Sequence, residues 1–257
     1  MKVGIGSWTY PWAIGVKGYP PRDPLTAVGL LERARTLGAE VVQIADNLPL
    51  DAGSPAPLRE AAAGITLELG TRGTDPEQLL RYLEYATALG ARLLRTLPGG
   101  NGDEQRLREV LPEFERHGVV LALENYELLP AAELARLVQR LDSPWVGVCL
   151  DTVNSLGALE TPAYTIETLA PYAVNIHVKD FDIARVPHKM GFEVTGRPAG
   201  RGRLDLRSLL DHVRVHGRDP NLILEQWPPL CGSLEDTIAN EAVWAHTGLK
   251  YLKAHAA

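Results

Sequence analysis

The sequence predicts a closed (β/α)8 TIM barrel, eight parallel strands each followed by a helix, folded as a single domain over residues 1–257. Three observations lead there. Eight short apolar runs recur along the chain, helix start and stop signals separate them, and 257 residues is the usual length of eight strand-helix units. The runs are KVGIG, EVVQIA, ITLEL, RLLRTL, VVLALE, WVGVCL, VNIHV and LILEQ. Regular alternation of strand and helix requires parallel strands with crossover helices, and eight repeats favour closure over an open doubly wound sheet. No GxGxxG or Walker-type GxxxxGKS/T follows any run, so the nucleotide-binding signatures of the open alternative are missing.

Along the chain, the first run leads into residues 7–23, a connection rich in Trp, Tyr, Pro and Gly. Asp23-Pro24 then opens a helical pattern that ends at Gly38. Asp75-Pro76, with Gln78 three residues after the aspartate, opens another that ends at Gly90. After the seventh run comes a long connection, residues 178–203, rich in Gly and basic side chains. Both unusual connections belong on the C-terminal face of a barrel, where active sites are built.

Hydrophobic residues make up 45% of the chain and charged ones 23%, the balance of a soluble globular protein. A net charge of -6 argues against a nucleic-acid binder, which needs many Lys and Arg contacts to phosphate. No segment carries the eighteen or so apolar residues of a spanning helix, and MKVGIGSWTY lacks the apolar run of a signal peptide. The expected location is the cytoplasm, with no membrane partner. Cys149 and Cys231 form neither a disulfide framework nor a CxxC metal motif, which suits a reducing compartment.

The last four runs each end on a metal-ligand type: Glu124 in LALEN, Asp151 in VCLDT, His177 in NIHVKD and Glu225 in LILEQW. Side chains alternate along a strand, so Val120, Ala122 and Glu124 share one face, as do Gly147, Cys149 and Asp151, Asn175 and His177, and Ile223 and Glu225. All four can converge over the barrel mouth. Three carboxylates and one imidazole suit one divalent ion, Mn²⁺ first, with Mg²⁺, Co²⁺ or Zn²⁺ as alternatives.

These motifs resemble the xylose isomerase-like TIM-barrel superfamily of sugar isomerases and epimerases, and the resemblance spans essentially the whole chain. It implies that Glu124, Asp151, His177 and Glu225 are the metal ligands, and that Glu124 and Glu225 double as an acid/base pair. The implied activity is isomerisation or epimerisation of a small hydroxy-carbonyl sugar, sugar phosphate or sugar acid through a metal-bound enediolate. Alternatives are decarboxylation of a 3-oxo sugar acid of the 3-oxo-isoapionate kind, an inosose dehydratase-like elimination, and metal-dependent sugar binding without turnover. The chain departs from ketose 3-epimerases at Asn154, where they carry a histidine, and at Ile183, where they carry an arginine. Gly70-Thr71 and Thr96-Leu97-Pro98 lack the extra histidines of the endonuclease IV branch.

Residues 178–203 carry Lys179, Arg185, Lys189, Arg197, Arg201 and Arg203 against Asp180, Asp182 and Glu193, reversing the sign of the chain's charge. An anionic sugar-derived substrate is therefore expected, held by Lys179, His188 and Arg197, with Trp8 as an apolar wall and Asn154 as a further contact. Assembly into a homo-oligomer is left open.

Overall fold

A computed structural model describes residues 1–256. Among the described residues ten strands form: β1 (Val3–Gly6), β2 (Val41–Ile44), β3 (Thr66–Gly70), β4 (Leu93–Thr96), β5 (Val120–Glu124), β6 (Val146–Asp151), β7 (Ala173–Val178), β8 (Asp180–Arg185), β9 (Phe192–Arg197) and β10 (Asn221–Leu224). All but β8 and β9 close into a parallel barrel in the order β1-β10-β7-β6-β5-β4-β3-β2. The eight apolar runs are these eight strands. Among the described residues nine α-helices surround them: α1 (Pro11–Ile14), α2 (Ala27–Leu37), α3 (Pro55–Ala61), α4 (Pro76–Leu89), α5 (Asp103–His117), α6 (Ala131–Leu141), α7 (Pro162–Leu169), α8 (Leu206–Val215) and α9 (Leu234–Ala256).

Local chemistry sets the helix ends. Asp75 accepts a hydrogen bond from the Gln78 amide at 2.9 Å, Pro76 takes the first position, and Gly90 closes α4 in the left-handed region, as its sequence signals predict. The helix expected from Asp23-Pro24 instead starts at Ala27, because the Thr26 hydroxyl caps it by accepting from the Gly29 amide. It ends at Gly38, as expected.

The largest correction concerns residues 178–203. Expected as a loop, they fold into an antiparallel hairpin with Asp180 opposite Arg197 and Arg185 opposite Phe192. One carboxylate staples its base. Asp180 accepts from the backbone amides of Phe181, Gly200, Gly202 and Leu204 at 2.8 to 3.0 Å, which gathers both ends of the insertion onto the end of β7.

The outward faces of the barrel strands pack under the helices through Ile5, Val42, Leu69, Leu94, Leu121, Leu123, Val148 and Leu150. The lumen is different. Leu93, Ala122 and Cys149 form a small separate apolar cluster there, and buried polar side chains, among them Gln43, Glu68, Arg95 and Asn175, share the interior with it. Among the described residues no helix is long and apolar enough to cross a membrane.

Candidate metal centre and substrate cavity

Strand parity places the four expected ligands together. Glu124, Asp151, His177 and Glu225 are all buried at the C-terminal ends of β5, β6 and β7 and just beyond β10. The Nδ1 of His177 lies 3.2 Å from Glu225 Oε1, 3.5 Å from Glu124 Oε1 and 3.9 Å from Asp151 Oδ2. Each ligand is oriented by its neighbours. Asp151 Oδ1 accepts from the Val153 and Asn154 amides, both at 2.8 Å, which leaves Oδ2 facing the cluster. Asn125 joins β5 to β6 by accepting from the Asp151 amide at 2.7 Å and donating to its carbonyl at 2.9 Å.

The arrangement calls for positive charge. Glu124 Oε2, Asp151 Oδ2 and His177 Nδ1 are buried with no hydrogen bond, although cations lie in ionic contact with the two carboxylates. Burial pushes the Asp151 carboxyl up against the pull of Lys179, and the neighbouring Glu124 and Glu225 charges push it further. Burial pushes the His177 imidazole down, but Glu225 and Glu124 outweigh it and raise the net value. The Nε2 of His177 is 2.7 Å from Gln43 Oε1, which can only accept, so a neutral imidazole turns its lone pair at Nδ1 toward three carboxylates. Oxygen and nitrogen donors crowded around one point, with a lone pair among them, fit a divalent cation. The same atoms appear as groups within 4.8 Å of one another, Asp151 with His177 and Glu225, and Glu124 with His177 and Cys149. Burial and the nearby Glu124 push the Cys149 thiol well up, and it donates to Asn175 Oδ1 at 3.4 Å.

Residues not singled out in the sequence complete the site. Arg95, on β4 and 2% exposed, points its Nε at Glu124 Oε2, 2.6 Å away, and its Nη1 at Asp46 Oδ1, 3.1 Å away. Asp46 also pairs with Arg72 and accepts from Trp8 Nε1 at 3.3 Å. An alternating chain Arg72, Asp46, Arg95, Glu124 thus runs from the mouth to the ligand cluster. Burial pushes the Glu124 carboxyl up, but the Arg95 charge, helped by His177 and Lys179, outweighs it and holds the pKa down at about 2.

Above the cluster opens a cavity of about 310 Å³. Its floor is Glu124, Glu225, Arg95, Lys179 and Asn154, and its walls include Trp8, Trp12, Val153, Leu97 and Trp227. Trp8, Asn154 and Lys179, three of the expected substrate contacts, line this cavity. Lys179 Nζ lies 2.7 Å from Asp151 Oδ2, 2.9 Å from Glu225 Oε2 and 3.2 Å from Asn154 Oδ1, while Asn154 Nδ2 donates to Glu124 Oε1 at 2.8 Å. His188 and Arg197 are not among the lining residues. His188 is exposed between β8 and β9, and Arg197 lies 3.4 Å from Asp182, which Arg203 also engages at 2.6 Å. The hairpin's own acidic residue thus draws on the cations expected to face the substrate, and Arg72 is the added cation at the cavity instead.

A family model described as "Xylose isomerase-like TIM barrel" matches residues 31–255. The chain belongs to that family. The chain is similar to 3-oxo-isoapionate decarboxylase of Pectobacterium atrosepticum, 38% identical over 98% of this chain and 95% of the relative. Solved xylose isomerase-like structures share the fold. D-psicose 3-epimerase of Clostridium cellulolyticum H10, crystallised with D-tagatose, superposes with a TM-score of 0.73 at 19% identity, over 100% of this chain and 99% of that one. A xylose isomerase-like TIM-barrel protein of Mycobacterium smegmatis in complex with magnesium superposes with a TM-score of 0.67 at 15% identity, over 97% of both chains.

Proposed function

We propose that this chain is a divalent-metal-dependent decarboxylase of a 3-oxo sugar acid. The observation that carries the proposal is the Arg95–Glu124 pair. Epimerisation needs two groups that exchange protons with carbon, one on each face of the sugar. A carboxylate in ionic contact with a buried guanidinium that holds its pKa down is a poor proton carrier, so the pair supports Glu124 as a ligand alone. Decarboxylation needs only one protonation. The 38% identity to a 3-oxo-isoapionate decarboxylase supports the same reading.

Glu124, Asp151, His177 and Glu225 would hold the ion, Mn²⁺ by the hardness of this donor set. When bound, it supplies Lewis-acid charge beside the sugar's carbonyl and hydroxyl oxygens. The bond between the carboxylate carbon and its neighbour breaks, CO₂ leaves, and the electron pair passes to the adjacent carbonyl oxygen to give an enediolate. The Lys179 ammonium, 2.9 Å from Glu225 at the cavity floor, delivers the proton that takes the place of CO₂ on carbon. Trp8, Trp12, Val153 and Trp227 exclude water from the carboxylate, which loses solvation it no longer needs as CO₂.

Charge counting supports a sugar acid over a neutral ketose or a phosphate. The linked cluster holds four carboxylates (Asp46, Glu124, Asp151, Glu225) and three cations (Arg72, Arg95, Lys179). A divalent ion turns the formal charge from one negative to one positive. Substrate monoanion and enediolate each carry one negative charge, so the match persists through bond breaking.

Mn²⁺-loaded protein given a 3-oxo sugar acid should release one CO₂ per substrate, and in D₂O the product should carry one deuterium at the carbon that lost the carboxylate. Neutral ketohexoses should neither epimerise nor take up deuterium. Rapid ketose epimerisation with no CO₂ from the acid would overturn the proposal.

A further inference from the structure

Below the ligand cluster lies a layer of buried polar side chains that touches neither the cavity nor the proposed ion. Gln43 on β2, Glu68 on β3 and Asn175 on β7 are at most 2% exposed, and Asn221 stands at the start of β10 beside them. Polar groups this deep are costly unless every one is paired. Here they are paired, and in one direction only.

Glu68 sets the direction. Its Oε1 accepts from Asn221 Nδ2 at 2.7 Å, and its Oε2 accepts from Asn175 Nδ2 at 2.8 Å and from Gln43 Nε2 at 3.2 Å. Both oxygens of Glu68 accept here, so the carboxyl turns the NH₂ group of each amide toward itself, and the pull of these amides opposes the burial that pushes its pKa up. The Gln43 NH₂ is held a second time, by Asn175 Oδ1 at 3.1 Å. With its nitrogen committed downward, Gln43 must turn its carbonyl oxygen upward, where it meets His177 Nε2 at 2.7 Å. An acceptor there demands a hydrogen on Nε2. In the neutral imidazole the remaining ring nitrogen, Nδ1, then carries the lone pair, and Nδ1 is the atom that faces Glu124, Asp151 and Glu225.

We propose that Glu68 and Gln43 are positioning residues that hold His177 in the Nε2–H tautomer, so that Nδ1 is presented to a divalent cation. Glu68 acts through Gln43, at two hydrogen bonds' remove from the imidazole. A reversed Gln43 amide would set its oxygen against the Glu68 carboxylate and its NH₂ against His177, favouring the tautomer whose lone pair points away from the cluster. The inference concerns the ligand atom and holds for any reaction performed above it.

The test reads Mn²⁺ affinity by competition with a fluorescent chelator, and the imidazole state by long-range ¹H–¹⁵N spectra of histidine-labelled, Zn²⁺-loaded protein, with His177 assigned by its loss in His177→Ala. Glu68→Gln, which no longer dictates the Gln43 orientation, should lower Mn²⁺ affinity on the order of 10- to 100-fold and blur the Nε2–H pattern. Gln43→Met, close to glutamine in volume, should do the same by leaving Nε2 without an acceptor. The double variant Gln43→Glu/Glu68→Gln moves the carboxylate onto His177 and restores a fixed acceptor at Nε2, so affinity and spectrum should return toward the parent. Unchanged affinity and an unchanged imidazole pattern in both single variants would overturn the proposal. So would a double variant that unfolds at the parent's midpoint yet regains neither readout.

Discussion

Arg95 carries three jobs on one guanidinium: it neutralises Glu124, bridges to Asp46 and donates to the Thr71 carbonyl at 3.1 Å. Taking its charge out of water is expensive and is offset only because both carboxylates are in place. Removing one partner is therefore the damaging change. Arg95→Met should lower stability by about 3 to 5 kcal/mol, since it leaves Glu124 buried beside Asp151 and Glu225 with no cation from β4. Adding Glu124→Gln removes the stranded charge and should recover part of the loss. Urea midpoints of the parent, both single variants and the double form a closed cycle, and additive losses would show that the pair is not energetically coupled.

At the scale of elements, the aromatic wall depends on α9. The carboxylate of Glu241, buried on that helix, accepts from the Trp12 amide at 2.8 Å and the Ala13 amide at 3.0 Å, capping the short α1 that carries Trp12 into the cavity wall. Trp12 Nε1 donates to the Pro228 carbonyl at 2.8 Å, and Gln226 donates to the Thr9 and Glu241 carbonyls, both at 2.8 Å. Burial raises the Glu241 pKa from 4.5 to about 7, against the pull of the two amides and Arg33. Below about pH 4.5 both folded and unfolded chains hold this proton. Between there and pH 7 only the folded protein keeps it, so stability falls as pH rises through that window, by about 3 kcal/mol in total. Glu241→Gln cannot titrate. The stability difference between parent and variant should narrow or reverse from pH 4.5 to pH 8, and a difference that stays constant would rule out this titration.

For the whole molecule, the barrel gathers the four proposed ligands from the ends of four strands, so binding of the proposed ion would be coupled to folding. An unfolded chain separates Glu124 from Glu225 by about a hundred residues and cannot hold all four donors around one ion. At free Mn²⁺ a hundred times its dissociation constant, stability should rise by about 2.7 kcal/mol, visible as a higher unfolding midpoint that a chelator reverses. His177→Ala and Asp151→Ala should lose most of that increment. If both variants gain as much as the parent, the ion binds elsewhere.

The sequence by itself determined the barrel and the shared inward face of the four candidate ligands, because both follow from short-range rules. Strand runs and caps are local, and alternation along a strand tells which side chains face inward without any contact being known. The same parity was available for Gln43, Glu68, Arg95 and Asn175, each a polar residue inside an apolar run, yet parity names a face and not a partner. Tertiary structure decided the partners. Arg95 meets Glu124 across 29 positions and Gln43 meets His177 across 134, so no spacing rule could link either pair. Residues 178–203 mark the other boundary. Their positive balance was legible, but charge has no direction in a sequence. Only the folded hairpin directs Arg197 and Arg203 to Asp182, while Lys179, at the end of β7, lies on Asp151 and Glu225.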